Sequence, residues 1–167
     1  MIPMLFMGEE WGSKAPFPFF CDFEGDLAEA VRQGRRKEYA WAYSKYGNEV
    51  PDPLDQATFQ SAVLDWQARN EPAARKRLTL VQELLAMRRR EIVPRLAGAV
   101  FGNAHAADSG VLTASWRMGD GAALHLLANL SDRAVAHQAE TKGATIWGGD
   151  AGNPLPPWSV FWRREAR

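Results

Sequence analysis

The amino-acid sequence predicts an α+β fold in two parts: an apolar strand with several helices over residues 1–94, then a small antiparallel β domain over 95–167. Three observations carry this reading. Residues 1–7, MIPMLFM, form an almost wholly apolar run closed by Gly8, as a strand buried on both faces would. A 3.6-residue apolar period runs from Pro72 toward Pro94. Beyond Pro94 the chain breaks into short β-type stretches separated by turns.

In the first run, Pro3 lacks an N–H and fits only the start or edge of a strand. Residues 8–25 combine glycines and prolines with Phe17, Phe19, Phe20 and Phe23, and read as irregular. Asp26 is placed to cap a helix that begins Leu27-Ala28-Glu29-Ala30-Val31. Gly34 weakens that helix, and Arg35 to Tyr46 continues it. Gly47-Asn48 and Pro51-Asp52-Pro53 then break the chain, and Thr58 to Trp66 is expected to be a short helix.

Pro72 suits the first turn of the clearest helix. Leu78, Val81, Leu85 and Arg88 follow its period, Ala74, Leu84 and Met87 widen the apolar stripe, and Pro94 ends it. Strands are expected at 98–103, 111–117, 122–130, 143–148 and 158–164, with Met118-Gly119-Asp120-Gly121 as a hairpin turn. Val111, Thr113 and Ser115 alternate with Leu112, Ala114 and Trp116, the pattern of a half-buried strand. The first part looks incomplete: a strand buried on both faces needs neighbours, and residues 1–94 supply none.

Composition narrows the function. The 167 residues are 46% hydrophobic, enough for a real core. Twenty basic and twenty acidic residues cancel, which argues against nucleic acid or a membrane as partner. Arg35-Arg36-Lys37 and Arg88-Arg89-Arg90 run directly into Glu38 and Glu91, and read as solvated helix faces. Cys21 is alone, so a reducing cytoplasm is the simple expectation. His105, His125 and His137 have no metal-ligand spacing, and neither metal nor cofactor is expected. No apolar run approaches the ~18 residues of a membrane helix, and the start lacks the basic segment of a signal peptide.

The motifs together carry a resemblance. IPMLFMGEEWG resembles the eighth barrel strand and following loop of the α-amylase family of glycoside hydrolases, with Pro3, Gly8, Glu9 and Glu10 matching in order. PFPFFCDFEGDLAEAVRQGRRKEYA (16–40) resembles the next segment in one branch, the malto-oligosyltrehalose trehalohydrolases. PDPLDQATFQSAVLDW, LLAMRRRE, LHLLANLSD and LPPWSVFW follow in the same order. The fold implied is a helical remnant of the end of a (β/α)8 barrel followed by a small antiparallel β-sandwich domain. The activity implied is hydrolysis of the α-1,4 bond next to the terminal trehalose unit of malto-oligosyltrehalose, without a cofactor. The resemblance also implies that the catalytic acids lie on barrel strands four, five and seven. The sequence has no Arg-x-Asp and no Asn-His-Asp, and the nearest string, Asn103-Ala104-His105, falls in the β domain. The chain alone is therefore expected to be catalytically incompetent.

Glu9 and Glu10 do not replace the missing pair. A retaining glycosidase needs two carboxyls about 5 Å apart across one bond, whereas neighbours in extended chain point to opposite faces. Glu10 matches the more constant acid of the family pattern. It either lines a sugar site in the complete barrel or pairs with an Arg or with loop N–H groups. Trp11, Phe17, Phe19 and Phe20 either stack on glucose rings or pack the loop onto the barrel rim. Asp22 either accepts a sugar hydroxyl or caps the next helix. The substrate-binding candidates are Glu10, Trp11, Phe17, Phe19 and Asp22.

Trp41, Trp66, Trp116, Trp147, Trp158 and Trp162 sit at core-like positions. An exposed Trp147 or Trp158 would instead favour a non-catalytic module that binds malto-oligosaccharide or docks another protein. A related branching or debranching enzyme is the biochemical rival. Residues 1–8, without barrel neighbours, are expected to promote self-association.

Overall fold

The computed structural model describes residues 3–139 and 142–167. Contacts divide the chain into two compact units, Met1–Val81 and Gln82–Arg167.

In the first unit, residues 3–6 form no strand, and Met4 is 88% exposed. A strand is stable only with a ladder partner, and no neighbouring strand meets these residues. The expected run therefore stays irregular over its described part, with Met1 and Ile2 outside the described residues. A single 3-10 turn, Glu9–Trp11, follows between Gly8 and Gly12, both left-handed. A Cβ on Gly8 would overlap Ser13 and the Trp11 ring, so this tight turn needs glycine for its space and for its φ of 84°.

Helix α1 spans Gly25–Glu38 and α2 Ala40–Tyr46, with Tyr39 between them. The cap position of α1 is Glu24 rather than Asp26, and no side chain bonds there. Asp26 lies in the first turn and Arg35, Arg36 and Lys37 in the last, both favourable to the helix dipole. The helices separate at Tyr39, not at Gly34, which stays inside α1. Helix α3 is Gln56–Ser61, shorter than expected, and the Asp55 carboxylate caps it by accepting from the Ala57 N–H. Helix α4 spans Pro72–Met87, and a π turn from Arg88 to Ile92 and a 3-10 turn from Val93 to Arg95 extend it to the predicted stop.

The second unit is a five-stranded antiparallel sheet of β1 (Val100–Ala106), β2 (Val111–Arg117), β3 (Ala123–Asn129), β4 (Ala144–Trp147) and β5 (Ser159–Glu165). Their order in space is β1-β2-β3-β5-β4. The β2–β3 hairpin closes through Met118–Gly121 as the turn residues predict, with Gly121 N–H donating to the Met118 carbonyl. Register pairs Val111 with Asn129 and Thr113 with Leu127 on one face, and Trp116 with Leu124 on the other. Buried clusters lie on both faces of the central strands. Val111, Leu127 and Phe161 pack against the isolated bridge Val135–Leu155. On the opposite face Leu124 joins Met118 and Ala122, flanked by Ile92, Ala99, Trp116 and Trp162. Burial on both faces blurs the alternation expected of β2. The α+β class therefore holds, with helices first and an antiparallel β domain last.

Candidate functional site

The sequence candidates all lie in the first unit, around the Glu9–Trp11 turn and the aromatic segment that follows. The turn separates the two glutamates by task. The Glu9 carboxylate accepts from the Phe6 N–H at 3.1 Å, and the Glu9 carbonyl accepts from Arg77 Nε at 2.9 Å. Glu9 therefore ties the apolar run and α4 to the turn. The half-buried Glu10 carboxylate has no hydrogen bond or ion pair among the described residues. The two acids are not a catalytic dyad.

Trp11 is 6% exposed and packs on Trp66 with ring centroids 5.3 Å apart. Its indole Nε1 is buried without a hydrogen-bond partner. Phe17 and Phe19 point outward, 60% and 50% exposed. Edge-to-face contacts run from Phe6 to Phe17 (5.0 Å), Phe17 to Phe20 (6.0 Å) and Phe20 to Phe59 (5.2 Å). The series anchors the segment on α3, and the Cys21 N–H donation to the Pro53 carbonyl fixes its far end. Arg35 stands 4.6 Å from the Phe19 ring centroid and 4.3 Å from that of Tyr39, so its guanidinium bears on both. Asp22 is exposed and does not cap α1.

The structure thus brings Trp11 against Trp66, and Phe17 against Phe6 and Phe20, while Phe19 belongs to a separate group with Arg35. Sequence reasoning missed Phe59, Arg35 and Trp66. Phe59 lies in a helix read only for its length. Arg35 was assigned to a solvated face, although cation–π contact needs just such a flexible charged stem. The expected core role fails for Trp41, Trp66 and Trp158, which are exposed. It holds for Trp116 and Trp162, half-buried and stacked 5.7 Å apart. Among the described residues no group of three or more His, Cys, Asp or Glu side chains could hold a metal ion. No helix among them is long and apolar enough to cross a membrane.

The chain is similar to several known proteins. Residues 99–162 match a family described as a domain of unknown function, DUF3459. A malto-oligosyltrehalose trehalohydrolase of Brevibacterium helvolum is 34% identical over 169 residues, which cover 95% of this chain and 27% of that protein. The enzyme of the same name from Deinococcus radiodurans is 40% identical over 93 residues, 56% of this chain and 16% of that one. Among solved structures, a 1.4 Å crystal structure from Salmonella typhimurium, provisionally assigned as an α-amylase, matches with a TM-score of 0.81 and 36% identity. That match covers 99% of this chain and 28% of the other. The chain spans about a quarter of the length of relatives that it matches from end to end.

Proposed function

Because this chain is homologous over nearly its whole length to the C-terminal region of malto-oligosyltrehalose trehalohydrolases of the α-amylase family, we propose that it performs the work of that region. In this reading residues 1–94 finish the barrel of a trehalose-releasing hydrolase and carry part of its sugar-binding rim. Residues 95–167 are the C-terminal β domain. The substrate is malto-oligosyltrehalose, cut at the α-1,4 bond next to the terminal trehalose. The reaction needs no cofactor, and the setting is cytoplasmic, with Cys21 a free thiol. The observation that carries the proposal is the 34% identity over 95% of the chain.

Within the site, Glu10 is the acid available to a sugar hydroxyl, since Glu9 is spent on the Phe6 N–H. Phe17 and Phe19 offer exposed ring faces to glucose, and Asp22 offers an exposed acceptor. Trp11 contributes from beneath, as a buried support whose indole N–H awaits an acceptor. The chain alone does not catalyse, because one unpaired glutamate is not two carboxyls across a glycosidic bond.

A trehalose-release assay on malto-oligosyltrehalose tests this. The isolated chain should release no trehalose above buffer, and release should appear when it is fused behind the upstream barrel region of a relative. Sustained turnover by the chain alone, lost in Glu10→Gln, would overturn the proposal.

One observation favours a second reading, a malto-oligosaccharide-binding module. Trp158 is 68% exposed with a positive φ of 51°, presenting its indole to solvent. Retardation of the chain in a gel containing amylopectin, lost in Trp158→Ala, would support that role. Equal mobility with and without the glucan would rule it out.

A further inference from the structure

The first unit also contains a concave site apart from the Glu9–Trp11 turn. An open cleft of about 710 Å³ lies among α1, α2, the Pro51–Asp55 turn and α3. A smaller cavity of about 220 Å³ shares Tyr43, Val50, Pro51 and Pro53 with it and continues to Phe19 and Tyr39. The volume falls in the range of small-molecule sites, and the lining mixes apolar walls with a few polar groups, as such sites do.

The polar groups of the larger cleft are held in place. The Asp52 carboxylate accepts from Arg32 Nε at 2.9 Å and from the Leu54 N–H at 3.0 Å. The Thr58 hydroxyl donates to the Asp52 carbonyl at 2.6 Å, and the Ser61 hydroxyl donates to the Thr58 carbonyl at 2.7 Å. Both hydroxyls have their donors committed and their lone pairs free. Arg36, one turn after Arg32 on α1, makes no ion pair among the described residues and lies 5.8 Å from the Tyr43 ring centroid. Its five N–H donors are available.

The charge balance selects the ligand. Arg32 and Arg36 face Asp52 and Asp55, so the ionised side chains of the lining cancel. A phosphate or carboxylate would gain Arg36 but meet two carboxylates. A neutral ligand whose hydroxyls both donate and accept can use the free guanidinium, the carboxylates and the hydroxyl lone pairs together. Tyr43 supplies an aromatic surface for the C–H side of a sugar ring. The geometry points to this cleft as a binding site for a neutral polyhydroxylated ligand, the glucose units of an α-glucan, with Arg36 and Tyr43 as its principal contacts. The choice of glucose rests on the function proposed above; the polyol chemistry does not.

The test is an NMR titration of the ¹⁵N-labelled chain with maltotriose. Saturable shifts are expected at the amides of Arg36, Tyr43, Asp52 and Thr58. Arg36→Ala and Tyr43→Ala should each weaken binding by about tenfold, while Arg117→Ala, in the other unit, should leave it unchanged. Arg36 is exposed, so Arg36→Ala keeps the test valid even if Tyr43→Ala loses its circular-dichroism signature. Absent shifts, shifts confined to residues outside the cleft, or saturable shifts there with inorganic phosphate but not with maltotriose would each overturn the inference. This readout is independent of trehalose release. Intact binding with no turnover in the fused enzyme would remove the hydrolase reading alone, and turnover without binding at the cleft would remove this inference alone.

Discussion

Asn129, at the end of β3, is fully buried, and the loops beyond the strand are organised around its amide. Nδ2 donates to the carbonyls of Arg133, Leu155 and Pro156, while Oδ1 accepts from both the N–H and the hydroxyl of Ser131. Replacing it by alanine deletes all five of these bonds at a buried position and leaves the Ser131 N–H without its acceptor, which costs more than that bond itself is worth. Asn129→Ala should lower stability by about 2–4 kcal/mol, read as a lower urea midpoint with unchanged slope; a loss below about 1 kcal/mol would contradict this account. A different residue governs the acid limb. Arg90 beside Glu91, and then Arg164, hold its carboxyl below the usual range against the opposing effect of burial. A depressed folded-state pKa means stability that is full above the unfolded value and lost as pH falls through the folded one. The wild type should therefore lose stability more steeply than Glu91→Gln as pH falls below the ordinary glutamate range, as acid titrations of the two by circular dichroism would show. Parallel acid limbs would show that the Arg90–Glu91–Arg164 cluster does nothing for the fold.

At the scale of elements, legibility followed the range of the forces involved. The five strands were readable to within about three residues because alternation, β-branched content and the Met118–Gly121 turn are local signals. The apolar run at residues 3–6 read as a strand but is not one, because pairing is a property of a neighbour and not of the run. For the same reason the presence of Phe17 and Phe19 in a sugar-compatible loop was visible in composition. The seating of Trp11 on Trp66, 55 positions away, was not. Neither was Arg35 over Phe19, since a charge run looks solvated until a ring is folded against it. The hairpin turn itself contains one feature visible only in three dimensions. Gly119 donates its N–H to the Arg95 carbonyl, and a Cβ there would overlap the Ala97 carbonyl oxygen. The obstacle is backbone, which gives little. Gly119→Ala should cost about 1–3 kcal/mol through displacement of the 95–99 segment, with loss of amide protection at Gly119 and Ala99 in hydrogen exchange. Unchanged protection would mean that the close approach is dispensable.

Over the whole chain, the two units differ in how completely they satisfy their apolar residues. The sheet unit buries Leu155, Leu124, Leu127 and Phe161, each worth about 1.5–3 kcal/mol relative to exposure. The first unit leaves Met4, Leu5, Phe6, Phe17, Trp41 and Trp66 in water. On the function proposed above, such residues are where the rest of a barrel would pack. For the chain by itself another copy is the available cover, and Met4, Leu5 and Phe6 offer exposed apolar side chains to it. We therefore predict reversible self-association at micromolar concentration, detected as a concentration-dependent sedimentation coefficient. Leu5→Lys with Phe6→Ser should shift the chain toward monomer and leave the circular dichroism of the sheet unit unchanged. A wild type that sediments as a monomer at all concentrations would mean that these side chains are tolerated in solvent. Fusion behind the barrel region of a relative, rather than oligomer formation, would then be the way to cover Met4, Leu5 and Phe6.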